Sequence, residues 1–187
     1  MFRRKGFHTA SVDEIAEEAG FSKGVVYSQF GSKDDMFFAL LERRIEQRAR
    51  ENMDTVRGAR EGDELATMWE LSERIRHADP AWTLLVLEFR IHAARNPALN
   101  QRYTALHERT IAGIAQTLEV LQGRRGVTPA YFGEDLARFV FAVESGYALE
   151  QLAAPPEAST EPGNAAFACL MGIPFEGRCA AGKDNVR

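Results

Sequence analysis

Apolar residues recur three and four positions apart along most of the chain, and no segment alternates at period two, so the pattern predicts an all-α fold. Glycines and prolines cut this pattern into pieces. Gly6, Gly20 and Gly31 punctuate the first stretch at short intervals. A charged helix is predicted from Lys33 to about Asn52, followed by a polar break over 57–63. Further helices are predicted over 63–78, 80–95, 97–121 and 129–152. Pro80, Pro97 and Pro129 each fall in a first turn, where the missing N–H had no partner to lose. Residues 153–163 (AAPPEASTEPG) read as a loop, 165–171 as a short helix and 173–187 as a disordered tail.

The first thirty-odd residues carry the strongest local signals. Ser11-Val12-Asp13-Glu14 has the form of a capping box, with the Ser11 hydroxyl accepting from the third amide and Glu14 reaching back. Val12, Ile15, Ala16 and Ala19 then share one helical face, while Asp13, Glu14, Glu17 and Glu18 face water. Gly20 supplies the left-handed exit, and Phe21 is expected to plug the corner. Ser22 caps a second helix over 23–30 whose Val26 and Phe30 point inward; Gly31 ends it, and Ser32 caps the next with Asp34 and Asp35 in its first turn. Two short helices joined by a glycine turn make a helix-turn-helix over about 11–30. Its second helix presents Lys23, Gly24, Val25, Tyr27, Ser28 and Gln29. That mixture suits a major groove, with polar groups for base edges or phosphates and small ones for close approach. From spacing alone, a helical hairpin with a solvated outer face is the competing reading.

Composition narrows the function classes. The 187 residues are 45% apolar and 27% charged with a net charge of −4, so the molecule as a whole is no basic nucleic-acid coat and DNA binding must come from a local patch. The 23 basic residues comprise 19 Arg and 4 Lys, and three of those Lys fall in the first 33 positions. No stretch reaches the roughly 18 uncharged apolar residues of a membrane helix. The MFRRKGF start has no apolar run of a signal peptide, so a cytoplasmic protein without a membrane partner is expected. Cys169 and Cys179 exclude a disulfide scaffold and read as reduced thiols without metal-ligand spacing. GxSxG, Walker, HExxH and GxGxxG motifs are missing, so neither an enzyme nor a cofactor is expected.

The run FHTASVDEIAEEAGFSKGVVYSQFGSKDDMFFALLERR resembles the DNA-binding domain of the TetR family of bacterial transcriptional repressors. The resemblance rests on Ser11, Ile15-Ala16, Ala19-Gly20, Ser22-Lys23-Gly24, Val26-Tyr27, Phe30 and Ser32-Lys33. It implies phosphate contacts from Thr9 or Ser11, Tyr27 and Lys33, base-edge contacts from Lys23, Gly24, Val25, Ser28 and Gln29, and a place for Ser22 among the DNA-binding residues. The family commonly has His where Gln29 stands; Gln can donate to a phosphate or read adenine. Met1–Lys5 matches only the last turn of the family's first helix, with Gly6-Phe7 as the exit, so further residues are expected upstream of Met1.

The resemblance also implies the organisation of the rest. Residues 1–50 would hold the helix-turn-helix domain with the start of a linker helix, under which Met36, Phe37 and Leu40 pack. Residues 51–172 would form a helical-bundle domain for ligand binding and dimerisation. The Arg43–Arg50 cluster reads as a solvated face with partners four residues apart, such as Glu46/Arg50. Segment 81–94 is apolar nearly all round, as in a helix at the centre of a bundle. Glu88 and His92 share a face and form a hydrogen-bonded pair more readily than a metal site, since no third ligand is visible. Leu99, Tyr103, Leu106, Ile114, Leu118 and Leu121 make one apolar stripe. Phe132, Leu136, Phe139, Val140, Val143 and Tyr147 make another, and Phe141, Ser145, Ala148, Leu149 and Leu152 make a second, partly apolar face on that helix, available to a partner copy.

The expected function is a homodimeric repressor on a palindromic double-stranded operator. It would be released by an apolar or aromatic small-molecule inducer held among Trp82, Leu85, Phe89, His92, Tyr103, Phe139, Glu144 and Tyr147. Two alternatives stay open: a DNA-binding regulator controlled by a protein partner, and a helical ligand carrier or enzyme with a remnant helix-turn-helix.

Overall fold

The computed structural model describes residues 1–63, 66–67, 79–124 and 133–153. Among these residues it has seven helices and no strand, so the fold is all-α. The helices are α1 (Phe2–Thr9), α2 (Val12–Glu18), α3 (Lys23–Phe30), α4 (Lys33–Gly58), α5 (Pro80–Ala94), α6 (Pro97–Arg124) and α7 (Gly133–Ala153). Nearly all of the helix expected over 63–78, together with Phe132, the loop after 153, the short helix and the tail, lies outside the described residues. By its contacts the chain divides into Met1–Leu149 and Glu150–Arg187, and of the second unit only 150–153, the end of α7, are described.

The local signals place the ends of these helices. Ser11, Ser22 and Ser32 each accept a backbone N–H at the start of α2, α3 and α4. Asp79 caps α5 ahead of Pro80, and Asn96 accepts from Ala98 and Leu99 at the start of α6. α4 runs six residues beyond the expected 52, to Gly58. Buried Val56 continues its apolar face, which outweighs the polar Arg57-Gly58 at its end.

The core lies where α1, α4 and α5 meet. Phe7, Phe37 and Phe89 are all fully buried, with ring centroids 4.3–5.3 Å apart. Phe2 sits edge-on to Phe37 at 5.5 Å and Phe38 edge-on to Phe89 at 5.0 Å. Such edge-to-face pairs contribute about 0.5–1.5 kcal/mol each beyond area burial. α1 packs on α5, α5 on α6, and α6 on α4. The α4–α6 approach is close at Gly113, where an added Cβ would stand 3.5 Å from Ala49 Cβ. Ile111, Ala115, Leu118, Leu121, Ala137 and Val140 bury the distal part of α6 and α7.

Three packing expectations are corrected. α5 is not enclosed all round: Leu85, Phe89 and Ala93 are buried, whereas Leu84 and Ile91 on the other side are exposed. A single helix can face α1, α4 and α6 with one stripe only. Leu40 is exposed, while its neighbours Phe37, Phe38 and Leu41 take the core side of α4. Phe139 is exposed beside buried Ala137 and Val140 on α7.

Candidate nucleic-acid interface

The helix-turn-helix is built from backbone-level instructions. Both halves of the predicted capping box form: the Glu14 N–H donates to Ser11 Oγ at 3.2 Å, and the Ser11 N–H donates to Glu14 Oε2 at 3.3 Å. At the other end of α2 the Phe21 N–H donates to the Ala16 carbonyl and the Gly20 N–H to the Glu17 carbonyl. This is a Schellman turn, and Gly20 stands at the φ of 73° that it requires. Gly31, with φ 78°, closes α3 by donating to the Tyr27 carbonyl at 2.8 Å. Phe21 does not plug the corner; it is exposed, since small buried Ala16 and Val26 already close the helix contact. Ala19 is likewise exposed at the end of the α2 face.

All the outward positions of α3 are solvent-accessible. Lys23, Gly24, Val25, Tyr27, Ser28 and Gln29 are exposed and Val26 alone is buried, with Phe30 half-buried. Thr9, Ser11 and Ser22 are exposed on the same unit. The charges here are paired: Lys23 Nζ donates to Asp13 at 2.7 Å, Lys5 to Glu14 at 2.6 Å, and Arg4 to Glu18. The hydrogen bond from Lys5 holds the Glu14 carboxyl below its usual range, and the bond to Asp13 raises the Lys23 ammonium.

Lys33 stands at the start of α4 and donates to the carbonyls of His8 and Ala10, both at 3.1 Å, with its ammonium 4.7 Å from the Phe7 ring centroid. Two of its protons therefore close the α1–α2 loop, leaving one for another acceptor.

Four long-range contacts tie α1 and the start of α4, which flank the helix-turn-helix, to α5 and α6, and none has a local sequence signal. The Phe7 N–H donates to Glu88 Oε2 at 2.7 Å, which satisfies a backbone donor freed where Gly6 (φ 77°) breaks α1. His92 Nε2 lies 3.0 Å from Asp34 Oδ1, Arg3 pairs with Asp79 at 2.9 Å, and Arg102 with Asp35 at 2.7 Å. Hydrogen bonds from Ser32, and then from Arg102, hold the Asp35 carboxyl low. Glu88 and His92 thus serve two different partners rather than each other. Among the described residues no group of three His, Cys, Asp or Glu converges on a metal site. The acids of α4 reach across as well: Arg109 of α6 binds both Glu42 at 3.0 Å and Glu46 at 3.2 Å.

The residues expected around a ligand are distributed unevenly. Leu85 and Phe89 are fully buried in the core, with Trp82 and Tyr103 packed half-buried against it. His92 faces the helix-turn-helix through Asp34 and the Phe7 ring. Glu144 and Tyr147 are half-buried on α7, and Phe139 is exposed. Burial raises the Tyr103 hydroxyl above its ordinary pKa.

Residues 1–40 match the model of the tetR family of bacterial regulatory proteins. The chain is 35% identical over 82 residues to the HTH-type transcriptional activator FasR of Mycolicibacterium smegmatis, covering 44% of this chain and 33% of that one. It is 29% identical over 124 residues to the HTH-type transcriptional regulator YfiR of Bacillus subtilis, covering 58% and 56%. The matched regions thus span only about a third and about half of these curated relatives. Among solved structures, a Rhodococcus protein assigned to the TetR-family transcriptional regulators shares the fold with a TM-score of 0.72 at 22% identity, over 91% of this chain and 90% of that one. A Saccharomonospora viridis protein crystallised in complex with choline shares it with a TM-score of 0.64 at 19% identity, over 91% and 89%. No described helix is long and apolar enough to cross a membrane.

Proposed function

We infer from this chain's membership of the TetR family of bacterial regulatory proteins, which its first 40 residues carry, that it is a sequence-specific DNA-binding transcriptional regulator. One observation supports the reading above the others. α3 is fixed at both ends by a serine cap and a left-handed glycine, and exposes every side chain from Lys23 to Gln29 except Val26. A rigid, uncovered helix of this kind is what a major groove receives. In this reading the hydroxyls of Thr9, Ser11, Ser22 and Tyr27, with the remaining proton of Lys33, hold phosphates. Lys23, Gly24, Val25, Ser28 and Gln29 face base edges.

The regulator acts as a homodimer that reads a palindrome. Exposed Phe139 and Leu149 on α7 support a partner copy on that helix. It is a repressor in this reading, released by an apolar or aromatic ligand near half-buried Trp82, Tyr103, Glu144 and Tyr147. A structural neighbour in complex with choline supports a small-molecule site in this fold. Selection of the full chain against a random duplex library tests the first half. The expected product is a palindrome with half-site centres about one helical turn apart, roughly 34–36 Å. Tyr27→Phe should weaken binding to that site and to random DNA alike, because a phosphate carries no sequence. A library that enriches nothing rejects the reading. Titrating small aromatic compounds against the labelled site tests the second half, and a site that none of them releases rejects the inducer.

A further inference from the structure

The first 35 residues expose apolar side chains and pair their basic ones. Every Arg and Lys among residues 1–35 has a partner within the protein: Arg3 with Asp79, Arg4 with Glu18, Lys5 with Glu14, Lys23 with Asp13, and Lys33 with two carbonyls. In contrast, Phe21 is 60% exposed, Val25 49% and Tyr27 40%. Phe21 stays uncovered, with Ala16 and Val26 closing the helix contact without it. It occupies the position after the Schellman glycine, and the position before the α3 cap. In both places an apolar side chain ordinarily folds back onto a helix. Here it stands off, at the end of α3 whose first residues enter a groove in the DNA-binding reading.

Charge and chemistry choose the occupant. Phe21 and Val25 carry no group that can bond to a phosphate or to a polar base edge, so only an apolar feature of a duplex can hold them. The floor of a major groove offers one apolar feature, the C5-methyl of thymine, and that methyl separates T from C and marks the orientation of an A·T pair. Lys23, the cation nearest to these side chains in the sequence, spends one of its three donors on Asp13 at 2.7 Å.

Resting on the DNA-binding function proposed above, we propose that Phe21 and Val25 form an apolar thymine reader. Each seats against a C5-methyl in the major groove, and these contacts carry more of the sequence preference than Lys23 does. Phe21 lies outside the set of base-contacting positions that the family resemblance implies, so this assigns it a role as a specificity determinant.

The test uses the full chain and the duplex that it selects from a random library. Each thymine of that duplex is replaced singly by deoxyuridine, which deletes the methyl and keeps every hydrogen-bonding group. One or two positions per half-site should lose about threefold to tenfold in affinity, the scale of one buried methyl. Phe21→Ala and Val25→Ala remove exposed side chains, so folding is preserved. Each should bind the thymine and uridine duplexes equally at its own position. Lys23→Ala should retain the methyl sensitivity. Equal affinity of the wild-type protein for every uridine duplex, with selection relaxed only by Lys23→Ala, overturns the proposal and leaves DNA binding intact. A library that yields no preferred duplex fails earlier and overturns the DNA-binding reading itself.

Discussion

α4 is held differently at its two ends. Near its start, Phe37 and Phe38 interlock with Phe7 and Phe89 in a ring cluster, and side chains from α5 and α6 reach back to Phe7, Asp34 and Asp35. From its middle onward, the contacts among the described residues include small and ionic ones: exposed Arg109 between Glu42 and Glu46, Ala49 against Gly113, and buried Val56. Interlocked rings resist sliding because any shift opens a void or a clash. Exposed ion pairs contribute about 0–1 kcal/mol and tolerate rearrangement. Among the described residues, interlocked rings thus join α1 and the start of α4 to α5, whereas small and ionic contacts join the middle of α4 to α6, and a displacement of α5 should carry α1 and the start of α4 with it.

The largest test of that asymmetry is Phe89→Ala. It removes the ring at the junction of α1, α4 and α5, and should cost about 3–5 kcal/mol in urea unfolding. Leu118→Ala, at the distal end of α6, should cost a comparable 2–5 kcal/mol. The distinction lies in DNA affinity measured where both variants remain folded: it should fall for Phe89→Ala and hold for Leu118→Ala. Equal losses would mean that the two ends of α4 are equivalent.

A smaller effect isolates the polar fastening. Glu88→Ala leaves the Phe7 N–H without its acceptor, at a cost of about 1–3 kcal/mol. Glu88→Gln keeps an acceptor oxygen and should recover much of it. Gly6→Ala attacks the same contact from the other side. An added Cβ would lie 2.7 Å from Glu88 Oε2, at a φ of 77° that alanine rarely adopts. Hydrogen exchange at the Phe7 amide should accelerate in Glu88→Ala and Gly6→Ala; unchanged protection in both would show that the bond is dispensable.

The caps come next. Ser11→Ala breaks a complete capping box, and Ser32→Ala frees the start of α4; each should cost about 1 kcal/mol. These are also the features that were plain in the sequence, for a physical reason. A cap, a capping box and a left-handed glycine are agreements among residues within a few positions, so the SVDE and AGFS segments announce α2, its exit and α3 almost to the residue. The all-α class followed from periodicity in the same way. Packing between distant segments left no such mark. Glu88 and His92 looked like a pair on one helix, and each bonds instead to a residue more than fifty positions away. Phe21 looked like a corner plug because its type and place fit one, and only the three-dimensional surface shows it uncovered. α5 read as enclosed because its composition cannot say how many of its faces have neighbours.

The smallest expected effect tests the distal end of the comparison by pH. His107 of α6 packs edge-on against Phe141 of α7, with centroids 5.0 Å apart. Burial, and then the positive charge of Arg90, lower its pKa below the ordinary value; the Glu108 carboxylate opposes them, and Arg138 adds to them. Glu108 itself is held low by its bond to Arg138 and stays ionised through this range. The folded protein thus takes up the His107 proton at lower pH than the unfolded chain, whose histidine titrates near about 6.5. Between those two values the unfolded state binds more protons, so stability rises with pH. The contribution is present above about pH 6.5 and fades as the solution is acidified toward the folded value. The urea midpoint of the wild type should therefore fall between about pH 7 and pH 5.5 by more than that of His107→Gln, which lacks the group. Exposed pairs such as Arg138–Glu108 keep their charges over that interval and should add nothing to the difference. Parallel midpoints for the two proteins would mean that α7 can move aside to hydrate His107, making the α6–α7 contact looser still than the ring cluster at the other end.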